Sequence, residues 1–347
     1  MIRAPYYLFD QKKFKNLIMD YKNIGEIYYP IKSNDDPLII EFLIQEGCCF
    51  EVDSIEHIKQ LITVYHLDPI RILFSYPILE QDDIIQANKF GIKKFVVDTQ
   101  EEYENICSII SSPSFIVRLN AVEVLGPNYS PPHNKWGMTI DNAKALIDQI
   151  RAKNQDVIGI SFYLFKEIVS PQSLKNMLAA IRGEFYGYDL RFLNIGGGIS
   201  PCDINKVNKD LCKTKEAIGA SDVIIEPGTP LLNPCIDMIV SVTAIRYING
   251  CRFIFINSGI YRGLIDTIIK QRHFDIQDEG VMQNSDFVKT IVCGASSDVS
   301  DCLGEYNLRS NLRVGDQLII KECGAYSKVM QTCFCQKEHI PMILASV

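Results

Sequence analysis

No stretch of this sequence reaches the roughly 18–20 consecutive apolar residues that crossing a bilayer needs, so no membrane span is expected. A positive excess is also missing. The 35 Lys and Arg stand against 42 Asp and Glu, and the net charge of −7 argues against general affinity for nucleic acid or anionic membrane while leaving room for a local basic pocket. The 12 cysteines are scattered, no Cys-x-x-Cys pair occurs, and the five histidines are not grouped with them. That excludes a disulfide frame or a zinc site and predicts reduced thiols in a cytoplasmic protein, nearly all of them buried as small hydrophobes. There is no low-complexity segment, no flexible linker and no repeat beyond an alternation of strands and helices. The opening Met1-Ile2-Arg3-Ala4-Pro5 runs straight into a strand-like segment, unlike a signal peptide.

What is present is ordinary in bulk: 47% hydrophobic and 22% charged residues over 347 positions, enough for a large core and two domains. Apolar, β-branched runs at 27–31, 49–52, 71–74, 94–97, 115–119, 157–162, 191–195 and 222–226 read as strands. Amphipathic stretches lie between them, at 37–45, 55–65, 81–90, 100–110, 140–151, 171–182 and 205–217, with Asp35, Ser54, Thr99 and Ser170 as caps. Eight strands alternating with helices is the count for a (β/α)8 TIM barrel, and a doubly wound sheet is the competitor. Lys32, Asp98, Asn120, Tyr163, Gly196 and Glu226 fall at or just past strand C-terminal ends, with Arg118 late in the fifth strand. In a barrel those ends share the functional face. The pattern changes after about residue 235. Runs at 238–243, 252–256, 289–292, 317–321 and 342–344, joined by 6–9 near the N-terminus, predict a β-rich, sandwich- or barrel-like second domain, with one helical stretch at 263–270. The predicted division is 10–235 for the barrel and 1–9 plus 236–347 for the β-rich domain. The long loop 121–137, with Pro127, Pro131 and Pro132, is expected on the functional face.

Three features carry chemistry. Lys32 closes the run Ile27-Tyr28-Tyr29-Pro30-Ile31, and a lysine at a strand end can form a Schiff base with a carbonyl cofactor. Gly196-Gly197-Gly198 can cradle a phosphate, because bare backbone amides approach an anion closely. Glu226, before Pro227-Gly228, can hold a pyridine nitrogen protonated. Taken singly, each has a plain alternative: a surface lysine, a turn, a surface glutamate before a Pro-Gly turn. In this order they specify pyridoxal 5'-phosphate chemistry.

The chain resembles the barrel-type (fold type III) pyridoxal-phosphate amino acid decarboxylases, the group of ornithine, arginine, diaminopimelate and carboxynorspermidine decarboxylases. The resemblance covers nearly the whole chain. It rests on Tyr29-Pro30-Ile31-Lys32-Ser33-Asn34, Phe50-Glu51-Val52-Asp53-Ser54, Phe95-Val96-Val97-Asp98-Thr99, Val117-Arg118-Leu119-Asn120 and Asn134-Lys135-Trp136-Gly137. It continues through Ile195-Gly196-Gly197-Gly198, Glu226-Pro227-Gly228, Asn257-Ser258-Gly259, Ser297-Asp298-Val299-Ser300-Asp301 and Gly324-Ala325-Tyr326. It implies that Lys32 carries the cofactor, Glu226 faces the ring nitrogen, Tyr326 reaches the phosphate, and Arg118 lies near the cofactor, with a salt bridge at the core edge as the alternative for Arg118. It also implies a small amino acid substrate and a homodimer with shared active sites, the 297–301 segment reaching into a neighbour.

The departures matter as much. The family usually has an arginine on the phosphate directly after Glu-Pro-Gly; here it is Thr229. Lys166 stands where many members have a small serine, and it could restore the lost charge. Tyr163 replaces the histidine that stacks on the ring. Ser297 replaces the cysteine that helps return a proton, and a hydroxyl is the poorer acid. Asp298 matches an aspartate that reads a distal amine, but Lys270 stands where a second such aspartate is expected, with Arg262 nearby. A lysine there repels a diamine-like tail and suits an anionic or nucleotide-linked one; the alternative is a solvated helix residue. Peptide–nucleotide tailoring, as in microcin C maturation, is a setting that would suit such a substrate. The competing readings are a catalytically silent homologue acting as a regulatory partner, and an amino acid racemase, which the carboxylate at Glu226 disfavours. If Lys166 supplies phosphate charge, Lys166→Ala weakens cofactor binding in an absorbance titration; unchanged affinity removes that role.

Overall fold

The computed structural model describes residues 3–126, 135–278, 286–336 and 338–345. After strand β1 (Tyr6–Phe9) and helix α1 (Gln11–Lys22) come β2 (Glu26–Pro30), α2 (Pro37–Gln45), β3 (Cys49–Val52), α3 (Ile55–Thr63), β4 (Ile72–Phe74), β5 (Lys94–Val97), β6 (Ser114–Leu119), β7 (Asp156–Phe162), β8 (Phe192–Asn194) and β9 (Asp222–Ile225). Strands β2 to β9 are parallel and close into a barrel, β9 pairing back onto β2 through Glu26 and Ile27. Closure decides against the doubly wound sheet.

The inside of the barrel is filled by one residue from each strand. Tyr28, Leu73, Val96, Ile116, Ile158, Phe192 and Ile224 form a buried cluster, and Cys49 packs against it. Side chains alternate along a strand, so the residue two positions on faces the same way. Two positions beyond the apolar layer stand Glu51, Asp98, Arg118, Asn194 and Glu226. The apolar plug and the polar mouth are therefore successive layers of the same strands.

The helix caps follow local chemistry. Ser54, Thr99 and Ser170 each accept a backbone N–H from the third residue on. The predicted cap Asp35 is corrected to Asp36, whose Oδ1 accepts the Leu38 N–H at 3.0 Å. Pro37 takes the first helical position, which makes the residue just before it the cap. The 205–217 helix resolves into two, Pro201–Lys206 and Asn208–Ile218, broken at Val207. The predicted loop at 121–137 begins instead with a helical turn, Ala121–Leu125, because Asn120 Oδ1 caps the N–H groups of Val122 and Glu123. Pro127, Pro131, Pro132 and Asn134 lie outside the described residues.

The β-rich part contains β10 (Ile236–Ile248), β11 (Cys251–Ile256), β12 (Ile276–Gln277), β13 (Phe287–Cys293), β14 (Cys302–Arg309), β15 (Gln317–Ile320) and β16 (Met342–Leu344). Their order is β12-β15-β10-β11-β13-β14, and β1 adds itself antiparallel to β10 and parallel to β16. The helical signal at 263–270 shrinks to Asp266–Ile269, preceded by a 3-10 turn at Ile260–Arg262. The chain divides into two compact units: Leu17–Lys32 with Ile39–Gly228, and Met1–Asn16 with Ser33–Leu38 and Thr229–Val347.

The expectation that nearly all cysteines are buried is wrong. Cys48, Cys235 and Cys323 are buried, while Cys202, Cys212, Cys251, Cys333 and Cys335 are exposed. Their helix-surface, strand-end and loop positions carry no burial requirement. No helix among the described residues is long and apolar enough to cross a membrane.

Leu73 lies fully buried in the plug layer, so Leu73→Ala should cost the barrel about 2–5 kcal/mol. Urea unfolding followed by circular dichroism measures it, as a lower midpoint at unchanged slope.

Candidate active site

At the C-terminal mouth of the barrel, β2 ends in Pro30 and the chain tightens into a 3-10 turn, Ile31–Ser33, that carries Lys32. The Lys32 ammonium donates to Glu51 Oε1 at 2.8 Å and stands 3.6 Å from Asp53 Oδ2. Both carboxylates come from β3 and its end, in line with Cys49 in the plug layer below. Glu51 is almost wholly buried and its Oε2 is unpartnered among the described residues. Asp53 is more open and touches His57 as well, at 3.4 Å from Nδ1 to Oδ1.

These contacts set the charge states. Burial alone would favour the neutral Lys32 amine, but the carboxylates of Glu51, Asp53 and Glu226 outweigh it and hold the ammonium above the ordinary lysine range. Burial pushes the Glu51 carboxyl up, with Lys32 pulling it back and Glu226 adding to the rise. Desolvation would also raise Asp53, yet the His57 ring and Lys32 bring it below the usual aspartate range.

Across the mouth, Asn194 on β8 donates its amide to Glu226 Oε1 at 2.7 Å and accepts the Gly196 N–H on its carbonyl oxygen at 2.9 Å. One side chain thereby ties the carboxylate at the end of β9 to the glycine loop. A Cβ at Gly197 would lie 2.3 Å from the Glu226 carbonyl oxygen, and one at Gly196 2.5 Å from that of Phe162. Gly196 and Gly198 have φ of +67° and +83°, which favours glycine again. The loop must therefore be bare to lie against its neighbours. On a third side, Gly137 N–H donates to Asp98 Oδ2 at 2.8 Å, and Asp98 N–H to Glu102 Oε2 at 3.0 Å. Arg118 lies close enough to act electrostatically on both carboxylates. Tyr163 follows β7 and is 43% exposed. Lys166 and Thr229 are exposed.

The β-rich unit places the other predicted residues. Lys270 pairs with Asp266 at 2.9 Å and lies 4.9 Å over the ring of Tyr326, whose hydroxyl accepts from Ser33 Oγ at 3.4 Å. Arg262 is spent on main-chain carbonyls, those of Asn257 at 2.7 Å and Glu338 at 2.9 Å. Asp301 accepts from Ile260 N–H at 2.7 Å and Ser296 N–H at 2.9 Å, pinning the turn that carries exposed Ser297 and half-buried Asp298.

The sequence assigned no role to Glu51, Asp53, His57 or Asn194, although Glu51 and Asp53 lie in a motif that carries the family resemblance. Glu51 had a signal, a lone acid inside the apolar strand Cys49-Phe50-Glu51-Val52, and Asn194 likewise ends an apolar run. His57 had none, since its place depends on how α3 starts.

Comparison with known proteins fits this geometry. Residues 11–232 match the family described as pyridoxal-dependent decarboxylase, pyridoxal binding domain. The chain is 25% identical over 342 residues to the amino acid decarboxylase lolD2 of Epichloe uncinata, covering 88% of this chain and 80% of that one. It is 23% identical over 334 residues to antizyme inhibitor 1 of Mus musculus, covering 86% and 72%. A crystal structure of lysine decarboxylase from Selenomonas ruminantium superposes with a TM-score of 0.88 at 19% identity, over 99% of this chain and 93% of that one. The chain belongs to the pyridoxal-dependent decarboxylases. It is an amino acid decarboxylase of that family, and its cofactor is pyridoxal phosphate. The barrel residues fit that group: an amine among carboxylates, a glutamate fixed by an amide, and a loop that admits no Cβ.

Glu102 is 6% exposed, and burial pushes its carboxyl up to about 8, with the Asp98 N–H opposing the rise. A carboxyl raised in the folded state binds more protons folded than unfolded, so stability falls as pH rises from the unfolded value toward 8. Glu102→Gln should flatten that fall. Thermal melts between about pH 5 and 8 check it, and an unchanged slope counts against a protonated Glu102.

Proposed function

We propose that this enzyme decarboxylates an α-amino acid with an anionic or nucleotide-linked distal group. The observation that carries the decarboxylase chemistry is the pairing of Lys32, set among Glu51 and Asp53, with Glu226, held by Asn194. Bound pyridoxal phosphate supplies an electron sink for the pair left on Cα as carbon dioxide departs. Lys32 holds the cofactor and yields it to the substrate amine. Glu226, kept in line by Asn194, holds a proton at the ring nitrogen. The glycine loop, with Lys166 making up for Thr229, takes the phosphate, and Arg118 and Tyr163 border the ring. Ser297 or a water it orients returns the proton.

The distal preference rests on Lys270, a cation standing where the family resemblance leads one to expect a second amine-reading aspartate. Asp266 offsets part of that charge, so the preference is one of degree. Asp298 remains a candidate substrate contact; Arg262, committed to carbonyls, contributes mainly to the shape of its turn. A cytoplasmic homodimer is the assembly this reading carries over from the family resemblance. A second reading, a silent homologue that regulates through binding, draws on Thr229, Ser297 and the relative named antizyme inhibitor 1.

Purified protein with pyridoxal phosphate should show a visible absorption band that borohydride abolishes and Lys32→Ala lacks. A screen for carbon dioxide release should then favour amino acids with phosphate-bearing tails over ornithine and lysine. Efficient turnover of free ornithine or lysine overturns the distal preference, and a band without release from any amino acid supports the silent homologue.

A further inference from the structure

Asp53 is a bridge. One carboxylate oxygen faces the Lys32 ammonium at 3.6 Å, and the other faces the His57 ring at 3.4 Å. The local fold explains how His57 reaches it. Ser54 caps α3 and accepts the His57 N–H at 3.3 Å, which fixes His57 in the first helical turn and turns its ring back over Asp53. Helix energetics do not favour this choice: the first turn of a helix favours acids, and an imidazole gains nothing from the dipole there. Nor is the contact a packing necessity, since the side chains of Asp53 and His57 are 28% and 22% exposed. A local rule broken beside a reactive group points to function.

The charge inventory supplies the reason. Three carboxylates, those of Glu51, Asp53 and Glu226, act on the single ammonium of Lys32. Glu51 sits at 2.8 Å and is buried, so it is a fixed part of the balance. Lys32 must shed its proton before it can act as a nucleophile, and every uncompensated carboxylate opposes that. A ring paired with Asp53 takes up part of one carboxylate's field.

We propose that Asp53 and His57 form a carboxylate–imidazole pair that governs how readily Lys32 gives up its proton, His57 being a positioning residue that acts through Asp53. This rests on the assignment of Lys32 as the cofactor lysine. In cofactor attachment the Lys32 ammonium first releases a proton to water. The neutral amine then adds to the cofactor aldehyde, its two remaining protons leave with the carbonyl oxygen as water, and a carbon–nitrogen double bond remains. Nothing is oxidised or reduced.

The test is the rate at which the full chain, stripped of cofactor, takes pyridoxal phosphate onto Lys32, trapped with borohydride and located by peptide mass spectrometry across pH 6–9. Asp53→Asn removes one opposing charge and should speed loading roughly threefold to tenfold at pH values where Lys32 is mostly protonated, shifting its pH profile downward. His57→Gln leaves Asp53 uncompensated and should slow loading by about twofold to fivefold, shifting the profile upward. The double variant should match Asp53→Asn, because His57 has no route to Lys32 once Asp53 is neutral. Opposite signs separate this from structural damage, which would slow both. Both variants slow, both unchanged, or a double variant unlike Asp53→Asn each overturns the pair. Failure of the wild type to load Lys32 at all overturns the cofactor assignment and the pair with it.

Discussion

The two-residue repeat of a β-strand is the constraint on which the barrel's chemistry depends. Cys49, Val96, Ile116, Phe192 and Ile224 fill or adjoin the apolar plug, and Glu51, Asp98, Arg118, Asn194 and Glu226 follow two positions later. The same alternation that builds the core therefore presents the polar groups. It also fixes their support, since Glu51, Arg118 and Asn194 stand on barrel strands and Asp98 and Glu226 directly follow the last residues of theirs. A site of this kind is precise because its scaffold is over-determined.

Charge is the second constraint. An ammonium facing Glu51, Asp53 and Glu226 is held tightly for a residue proposed to act as a nucleophile. Desolvation of Glu51 and the His57 contact with Asp53 each take something from that hold. Asn194 performs the matching task for Glu226, fixing one oxygen without adding charge. The result is a mouth in which position comes from amides and strands and reactivity from the balance of a few ionised groups.

The barrel strands were legible in the sequence because parallel strands buried on both faces read as short apolar runs, and β3 and β5 fall where those runs do. The glycine loop and Glu226 were legible because they sit at the ends of such runs. Strand β14 was not, since Gly304, Glu305 and Asn307 interrupt its apolar pattern, nor was α1, whose Lys-rich face hides Phe14, Ile18 and Tyr21. Polar side chains that act by proximity were also hidden. Asp53 and His57 lie four residues apart, but their meeting with Lys32 depends on the pairing of β2 with β3. Lys270 read as either a cation facing the substrate tail or a solvated helix residue, and only the folded chain brings it over the Tyr326 ring.

Gly197 has a consequence for how this chain can change. Any Cβ there meets the Glu226 carbonyl oxygen at 2.3 Å, and every amino acid one base away from a glycine codon has a Cβ. Single-step drift at this position is closed. At Lys166 and Thr229, both exposed, no such barrier exists. Over evolutionary time the shape of the loop is the inherited part of this mouth.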